Sequence, residues 1–259
     1  MAAGLNQASA PRVRVFQDSE ALSTAAAGRF VEILLERHAS GGRCTVALSG
    51  GSTPRHVYEL LGTEAYRGQV DWARLHVFWT DERCVPPTDS DSNYKMARDL
   101  LLSAVPLPGK NVHRVRGEMG PNEAAQQYES EIRSFFGDRK LLPVFDLVLL
   151  GAGVDGHTAS LFPGAEALHE RRRLAVPVFM EAPQRSRVTL ALPVLNNAAH
   201  VLILATGLPK TGVIHEIFEN GNERQYPAGL VRPVNGSLEW FIDRDAAARS
   251  RSLLDGEKG

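Results

Sequence analysis

An aspartate and a histidine two residues apart, Asp155 and His157, stand in a glycine-rich turn at the end of an apolar run, VFDLVLLGAGVDGHTASLFP, at positions 144–163. A neutral imidazole can take a proton near pH 7, and a neighbouring carboxylate can set its tautomer or steady the imidazolium. The pair therefore points to general-base chemistry. Val144 to Leu150 reads as a strand covered on both faces, as strands of parallel sheets are. Ligands of open α/β sheets sit just outside the carboxyl ends of such strands. Gly151, Gly153 and Gly156 also spell G-x-G-x-x-G, but a dinucleotide site fits poorly. Asp155 would put a carboxylate where a pyrophosphate should lie, and Pro163 cuts off any long helix soon after Gly156. A histidine that merely caps a turn is the plainer alternative, and the aspartate at i−2 argues against it.

A second glycine-rich turn, Leu48-Ser49-Gly50-Gly51-Ser52-Thr53-Pro54, again follows a strand pattern and opens a helix. Gly50 and Gly51 let the backbone approach an anion. Ser52 and Thr53 add amides and hydroxyls, and the helix N-terminus adds partial positive charge. Simple N-capping by Ser52 or Thr53 is the structural alternative. Thr80-Asp81-Glu82-Arg83 closes a third strand. Arg83 offers the bidentate fork that suits phosphate, and Asp81 could orient it or a substrate hydroxyl; a surface ion pair among these neighbours is the alternative. Arg185-Ser186-Arg187 leads into a strand, and Lys210 lies in the Thr206-Gly207-Leu208-Pro209-Lys210 connection that follows one; a solvated surface charge is the alternative for each. Arg171 to Arg173 reads as such an exposed loop. Ser92-Asn93-Tyr94-Lys95 and Lys210-Thr211-Gly212 match two signatures of penicillin-binding serine enzymes, but the third, S-D-N, is missing.

The elements that must carry these residues alternate along the chain. Strand patterns fall at Val13–Phe16, Thr45–Leu48, Leu75–Trp79, Asn111–Val115, Val144–Leu150, Leu174–Val178, Arg187–Leu192, Val201–Ala205 and Leu238–Ile242. Helix patterns fall at Ser19 to about His38, after Pro54, and at Asn93–Leu102, Asn122–Phe136 and about Pro209–Phe218. This is α/β wiring, with a mostly parallel sheet. The expected organisation is a disordered tail over 1–10, a single α/β domain over 11–250 and a loose tail over 251–259. A chain of 259 residues with 43% apolar and 23% charged side chains can bury a full core, which excludes disorder for the bulk. With 29 basic and 30 acidic side chains the net charge is −1, so no overall field would hold nucleic acid or an anionic membrane. Two cysteines are too few for a disulfide framework, and no Cys or His pair has zinc-ligand spacing. His215-Glu216 opens like a helical zinc motif, but Glu219 holds the second histidine's place. The expectation is a cytoplasmic protein without a metal, and the first ten residues match neither a signal nor a transit peptide.

Taken together, LSGGSTP at 48–54, DER at 81–83, DSNYKMAR at 91–98, GAGVDGHTASLFP at 151–163, RVTL at 187–190 and ATGLPK at 205–210 resemble the 6-phosphogluconolactonase family, nearly from end to end. The resemblance implies a Rossmann-like α/β fold with helices on both faces, shared with glucosamine-6-phosphate deaminases. It implies hydrolysis of 6-phosphogluconolactone to 6-phosphogluconate in the oxidative pentose phosphate pathway, with no cofactor. In the deaminases the DGH segment typically runs on toward Asn-Glu-Pro, and a Tyr follows Asp-Glu; here Leu161-Phe162-Pro163 and Arg83 stand in those places. For a lactonase, His157 with Asp155 would activate water. Gly50, Gly51, Ser52, Thr53, Asp81, Arg83, Arg187 and Lys210 would hold the sugar phosphate, and one of the three basic residues would steady the oxyanion. A deaminase and a non-catalytic sugar-phosphate sensor are the alternatives, and a monomer is favoured.

Overall fold

The computed structural model describes residues 10–137, 142–182 and 185–255. Six parallel strands form the main sheet: β1 (Arg12–Phe16), β2 (Cys44–Leu48), β3 (Leu75–Trp79), β5 (Leu147–Gly151), β8 (His200–Ala205) and β9 (Ser237–Asp243). Their order is β1-β9-β8-β5-β2-β3. Every residue of β2 is buried, as is nearly every residue of β5 and β8. A strand without an exposed face must be covered on both sides, which is why these stretches read as continuous apolar runs. The longest covering helix, α1 (Ser19–Ala39), starts where Asp18 accepts the Ala21 amide at 2.8 Å. It buries Leu22, Ala26, Phe30, Ile33 and Leu34, a stripe at helical spacing. Helices α2 (Ser52–Leu61), α3 (Asn93–Ala97), α4 (Pro121–Phe136) and α5 (Thr211–Phe218) follow strands in the α/β manner.

The expected parallel sheet is present, and a second sheet accompanies it. β4 (Asp81–Arg83), β6 (Ala175–Val178) and β7 (Arg187–Leu190) pair antiparallel in the order β4-β7-β6. The chain changes sheets at Thr80. Its amide donates to Leu48 O at 2.8 Å, continuing the main sheet, while its carbonyl accepts the Leu190 amide at 2.7 Å in the second. DER is therefore a strand and not the loop end of one.

Two expectations are corrected and one is refined. Asn111–Val115 is not a strand: a 3-10 turn covers Gly109–Asn111, and the buried Asn111 side chain donates to Ala73 O and Leu75 O. These bonds hold the segment to the start of β3, leaving Val112 as a single bridge to Val77. Asn93–Leu102 is one helical stretch but winds as α only to Ala97, then as π over Arg98–Leu102. The chain is not loose throughout 251–259, because Arg251–Asp255 forms a short helix, α6, whose Leu253 and Leu254 pack against the core. Residues 256–259 and 1–9 lie outside the described residues, and Ala10 is exposed and irregular.

Two buried tyrosines close the strand ends nearest the loops that matter. Tyr128 on α4 donates to Trp79 O at 2.7 Å and accepts the Trp79 amide at 2.8 Å. Tyr58 on α2 does the same for Ser49, at 2.8 and 3.1 Å. Burial pushes both phenols well above their ordinary value, so they serve as neutral hydrogen-bonding groups. Each hydroxyl satisfies both the backbone donor and the backbone acceptor of one residue. Tyr128→Phe orphans both groups of Trp79, and urea denaturation should show it less stable by about 1–3 kcal/mol.

Candidate active site

From β2 the sheet grows outward through β3, and from β5 it grows the other way through β8 and β9, so the strand order reverses between β2 and β5. A crevice opens there at the carboxyl ends, as parallel sheets require at such a point. Its walls include Ser49, Gly50, Gly51, Ser52, Thr53, Asp81, Arg83, Asn93, Gly151, Gly153, His157, Ala159, Arg187 and Lys210. Every candidate residue from the sequence therefore meets at one crevice, with Asp155 reaching it through His157.

The Gly50–Thr53 wall is a helix N-terminus. Gly51 caps α2 with φ +107°, a conformation closed to other residues, and no side chain caps the first turn. Ser52 and Thr53 thus sit inside the helix and leave its leading amides facing the crevice, so the N-cap alternative for these two residues fails. The helix begins at Ser52, not after Pro54, which is its third residue. Thr53 is tied across the crevice to Thr206 by a 2.7 Å hydroxyl contact.

The turn after β5 fixes Asp155 and His157 against each other. His157 Nδ1 lies 2.5 Å from Asp155 Oδ1, and the His157 amide donates to the same oxygen at 3.1 Å. Burial raises the Asp155 carboxyl, but these amide and imidazole bonds outweigh it and leave the group below its usual value. An ionised Asp155 accepts from Nδ1–H, which leaves Nε2 with the bare lone pair. Gly153 makes the pair possible, because a Cβ there would collide with both the imidazole and the carboxylate. The Phe162 ring flanks His157 at 4.6 Å between centroids and takes the Arg187 guanidinium on its face at 5.3 Å. Ala159, with φ +49°, is the one non-glycine in the left-handed region among the described residues. It is held there by its neighbours: Thr158 donates to Gly151 O at 2.9 Å, and the Ser160 amide donates to Thr189 Oγ1 at 3.2 Å. Such strain persists only where surrounding bonds over-determine it.

The second sheet supplies the charge. Arg83 and Arg187 are directly opposed across β4 and β7, an arrangement of like charges that disfavours itself unless an anion shares it. Both Nε atoms are buried without a partner. Burial, with the Arg83 charge, pulls Arg187 below its ordinary value against the attraction of Asp81 and Asp155. Burial likewise lowers Lys210, with Asp155 opposing it. Asp81, buried, accepts from Ser160 Oγ at 2.6 Å, and Ser160 in turn meets Arg187 Nη1 at 3.5 Å. Its other oxygen accepts from the Thr80 hydroxyl at 3.3 Å, so Asp81 both lines the crevice and is held by protein donors. Arg171 is an exposed residue away from the crevice, in keeping with its reading as a loop charge.

Asn93, Ser160, Phe162 and Tyr226 escaped the sequence reading as site residues. Asn93 and Ser160 lie inside the quoted motifs, but nothing in their spacing shows which way they face. Tyr226 packs on Gly156, and Ala228 donates to Gly156 O at 2.9 Å, from a segment seventy residues on that carries no motif. Among the described residues, no group of three or more His, Cys, Asp or Glu could hold a metal ion.

A family model described as glucosamine-6-phosphate isomerases/6-phosphogluconolactonase matches residues 17–240. The chain is 40% identical over 245 residues to a 6-phosphogluconolactonase from Homo sapiens, covering 92% of each chain. It is 38% identical over 245 residues to one from Synechocystis sp., covering 93% of this chain and 99% of the other. The solved 6-phosphogluconolactonase from Trypanosoma cruzi is 31% identical and superposes with a TM-score of 0.83 over 95% of this chain and 99% of that one. A monomeric glucosamine-6-phosphate deaminase, 19% identical with a TM-score of 0.77 over 92% of this chain and 99% of its own, shares the fold. The paired arginines give a direct test of the crevice as an anion site: Arg187→Ala should weaken binding of inorganic phosphate by about 10- to 100-fold in calorimetry, the cost of a charged hydrogen bond.

Proposed function

The chain belongs to the glucosamine-6-phosphate isomerase/6-phosphogluconolactonase family, and on that premise we propose that His157 is the general base of a lactone hydrolysis. The reaction is hydrolysis of 6-phosphogluconolactone to 6-phosphogluconate in the oxidative pentose phosphate pathway. The observation that carries the base assignment is the 2.5 Å bond from Asp155 to His157 Nδ1, which turns the basic Nε2 away from its partner. Water between Nε2 and the lactone carbon gives its proton to the imidazole as its oxygen bonds to carbon. The negative charge then moves to the carbonyl oxygen, where fixed cations stabilise it. Collapse breaks the bond from carbon to the ring oxygen, and the imidazolium returns its proton to that oxygen, leaving an open-chain hydroxyl and a carboxylic acid that ionises. Asp155 steadies the imidazolium between the two transfers.

Gly50, Gly51, Ser52 and Thr53, with Arg83, Arg187 and Lys210, hold the phosphate and the developing oxyanion between them. Binding the phosphate at a distance from the reacting carbon sets the orientation of the lactone. Asp81 holds its neighbours in place, and the proposal asks nothing of a metal or organic cofactor. A monomer in the cytoplasm completes the reading, the compartment being proposed because two cysteines are too few for a disulfide framework. Among the described residues no helix is long and apolar enough to cross a membrane.

The test is the loss of freshly generated 6-phosphogluconolactone, followed by NMR against its spontaneous hydrolysis. His157→Ala should lower kcat by about 10²- to 10⁴-fold. An unchanged kcat removes His157 from this role, while an inactive wild type that releases ammonia from glucosamine 6-phosphate would assign the deaminase reaction instead.

A further inference from the structure

Alternation along β4 sends Asp81 and Arg83 to the crevice and Glu82 to the opposite face. Glu82 is buried, makes no wall of the crevice, and none of the chemistry above uses it. Its carboxylate is nonetheless fully engaged. Oε1 accepts the amides of Arg83 at 2.7 Å and Asn93 at 2.8 Å; Oε2 accepts the Tyr94 amide at 2.8 Å and the Ser92 hydroxyl at 3.0 Å. Three of these donors open α3, whose N-terminal amides favour a negative charge. Ser92 caps the same turn by accepting the Lys95 amide at 3.1 Å.

The segment that Glu82 grips reaches back to the crevice at two points. Asp91 O accepts Arg83 Nη1 at 2.6 Å, so the carbonyl that aims the guanidinium belongs to the chain just before the gripped residues. The Asn93 side chain donates to Asp81 O at 2.9 Å and lies directly against Gly50 in the anion-facing turn. One buried carboxylate thus ties the strand bearing Arg83 to the segment that orients Arg83 and packs the Gly50 turn. We propose that Glu82 is a positioning residue for the lactonase reaction, holding Arg83 and the Gly50 wall in register through residues 91–93. This rests on the function proposed above.

Glu82→Gln tests it. The amide keeps the shape but turns N–H toward a backbone N–H, so the segment must shift. The variant should bind 6-phosphogluconate about 10-fold more weakly in calorimetry. In the lactone assay it should change kcat and KM in the same pattern as Arg83→Ala. In the Arg83→Ala background it should cost less than about threefold more, since coupled residues do not add. Loss of fold alone would lower kcat by reducing active protein and leave KM unchanged. A folded Glu82→Gln enzyme with wild-type kcat, KM and product affinity overturns the proposal, as does full multiplicativity with Arg83→Ala. If Glu82→Gln does not fold, Ser92→Ala removes one of the four bonds and should show the same pattern on a smaller scale; wild-type constants in that variant overturn the proposal equally. A wild type without lactonase activity would defeat the functional reading alone, because the binding comparison would still report whether Glu82 positions the crevice.

Discussion

At Thr80 one residue belongs to two hydrogen-bond systems at once. Its amide completes the parallel pairing of β3 with β2, and its carbonyl begins the antiparallel pairing of β4 with β7. The chain therefore leaves the main sheet at the carboxyl end of β3 without leaving pleated structure. Without that change of sheet, Asp81, Glu82 and Arg83 would continue past the crevice as a loop, with no register to hold them. With it, Arg83 is set opposite Arg187, and strand alternation sorts the three polar side chains to two faces with different tasks.

The turn that bears His157 is anchored to the same second sheet. Ser160 donates to Asp81, and its own amide donates to Thr189, the residue paired with Asp81 across the strands. The turn that bears His157 is thus fastened to the strands that bear the two arginines. Ala159 keeps its unfavourable φ between these bonds. From the other side, Tyr226 and Ala228 press on Gly156. Distances between His157 and the cations are in this way set by buried bonds, which hold far better in low dielectric than exposed ones. That is the arrangement preorganised catalysis asks for.

The buried tyrosines serve the same end at lower visibility. At Ser49, just past β2, and at Trp79, on the edge strand β3, backbone groups would be stranded in the interior, and a single phenol from a helix satisfies both groups of one residue in each case. Helices α2 and α4 are thereby pinned to the strand ends they serve, and the leading turn of α2 stays at the crevice.

Much of this was legible in the residues. Continuous apolar runs imposed buried parallel strands, glycine turns after them marked the carboxyl ends, and the Asp155-x-His157 spacing was short enough for the two side chains to meet once Gly153 left room. The family blocks lie in one order along the chain, and each lands on the crevice. What the sequence did not disclose depends on contacts between distant segments. The antiparallel sheet arises because Thr80 finds Leu190, which no local pattern encodes; Asn111–Val115 has strand-like residues but keeps only the Val112 bridge to Val77, with the Asn111 side chain bonded to Ala73 and Leu75. Asp81 and Glu82 differ by one position and one methylene, yet one faces the crevice and the other caps a helix. Sequence determined which chemical groups were at hand and which strand ends would carry them. Tertiary structure decided their direction, because a side chain's face and partners are set by the register of strands that lie a hundred residues apart.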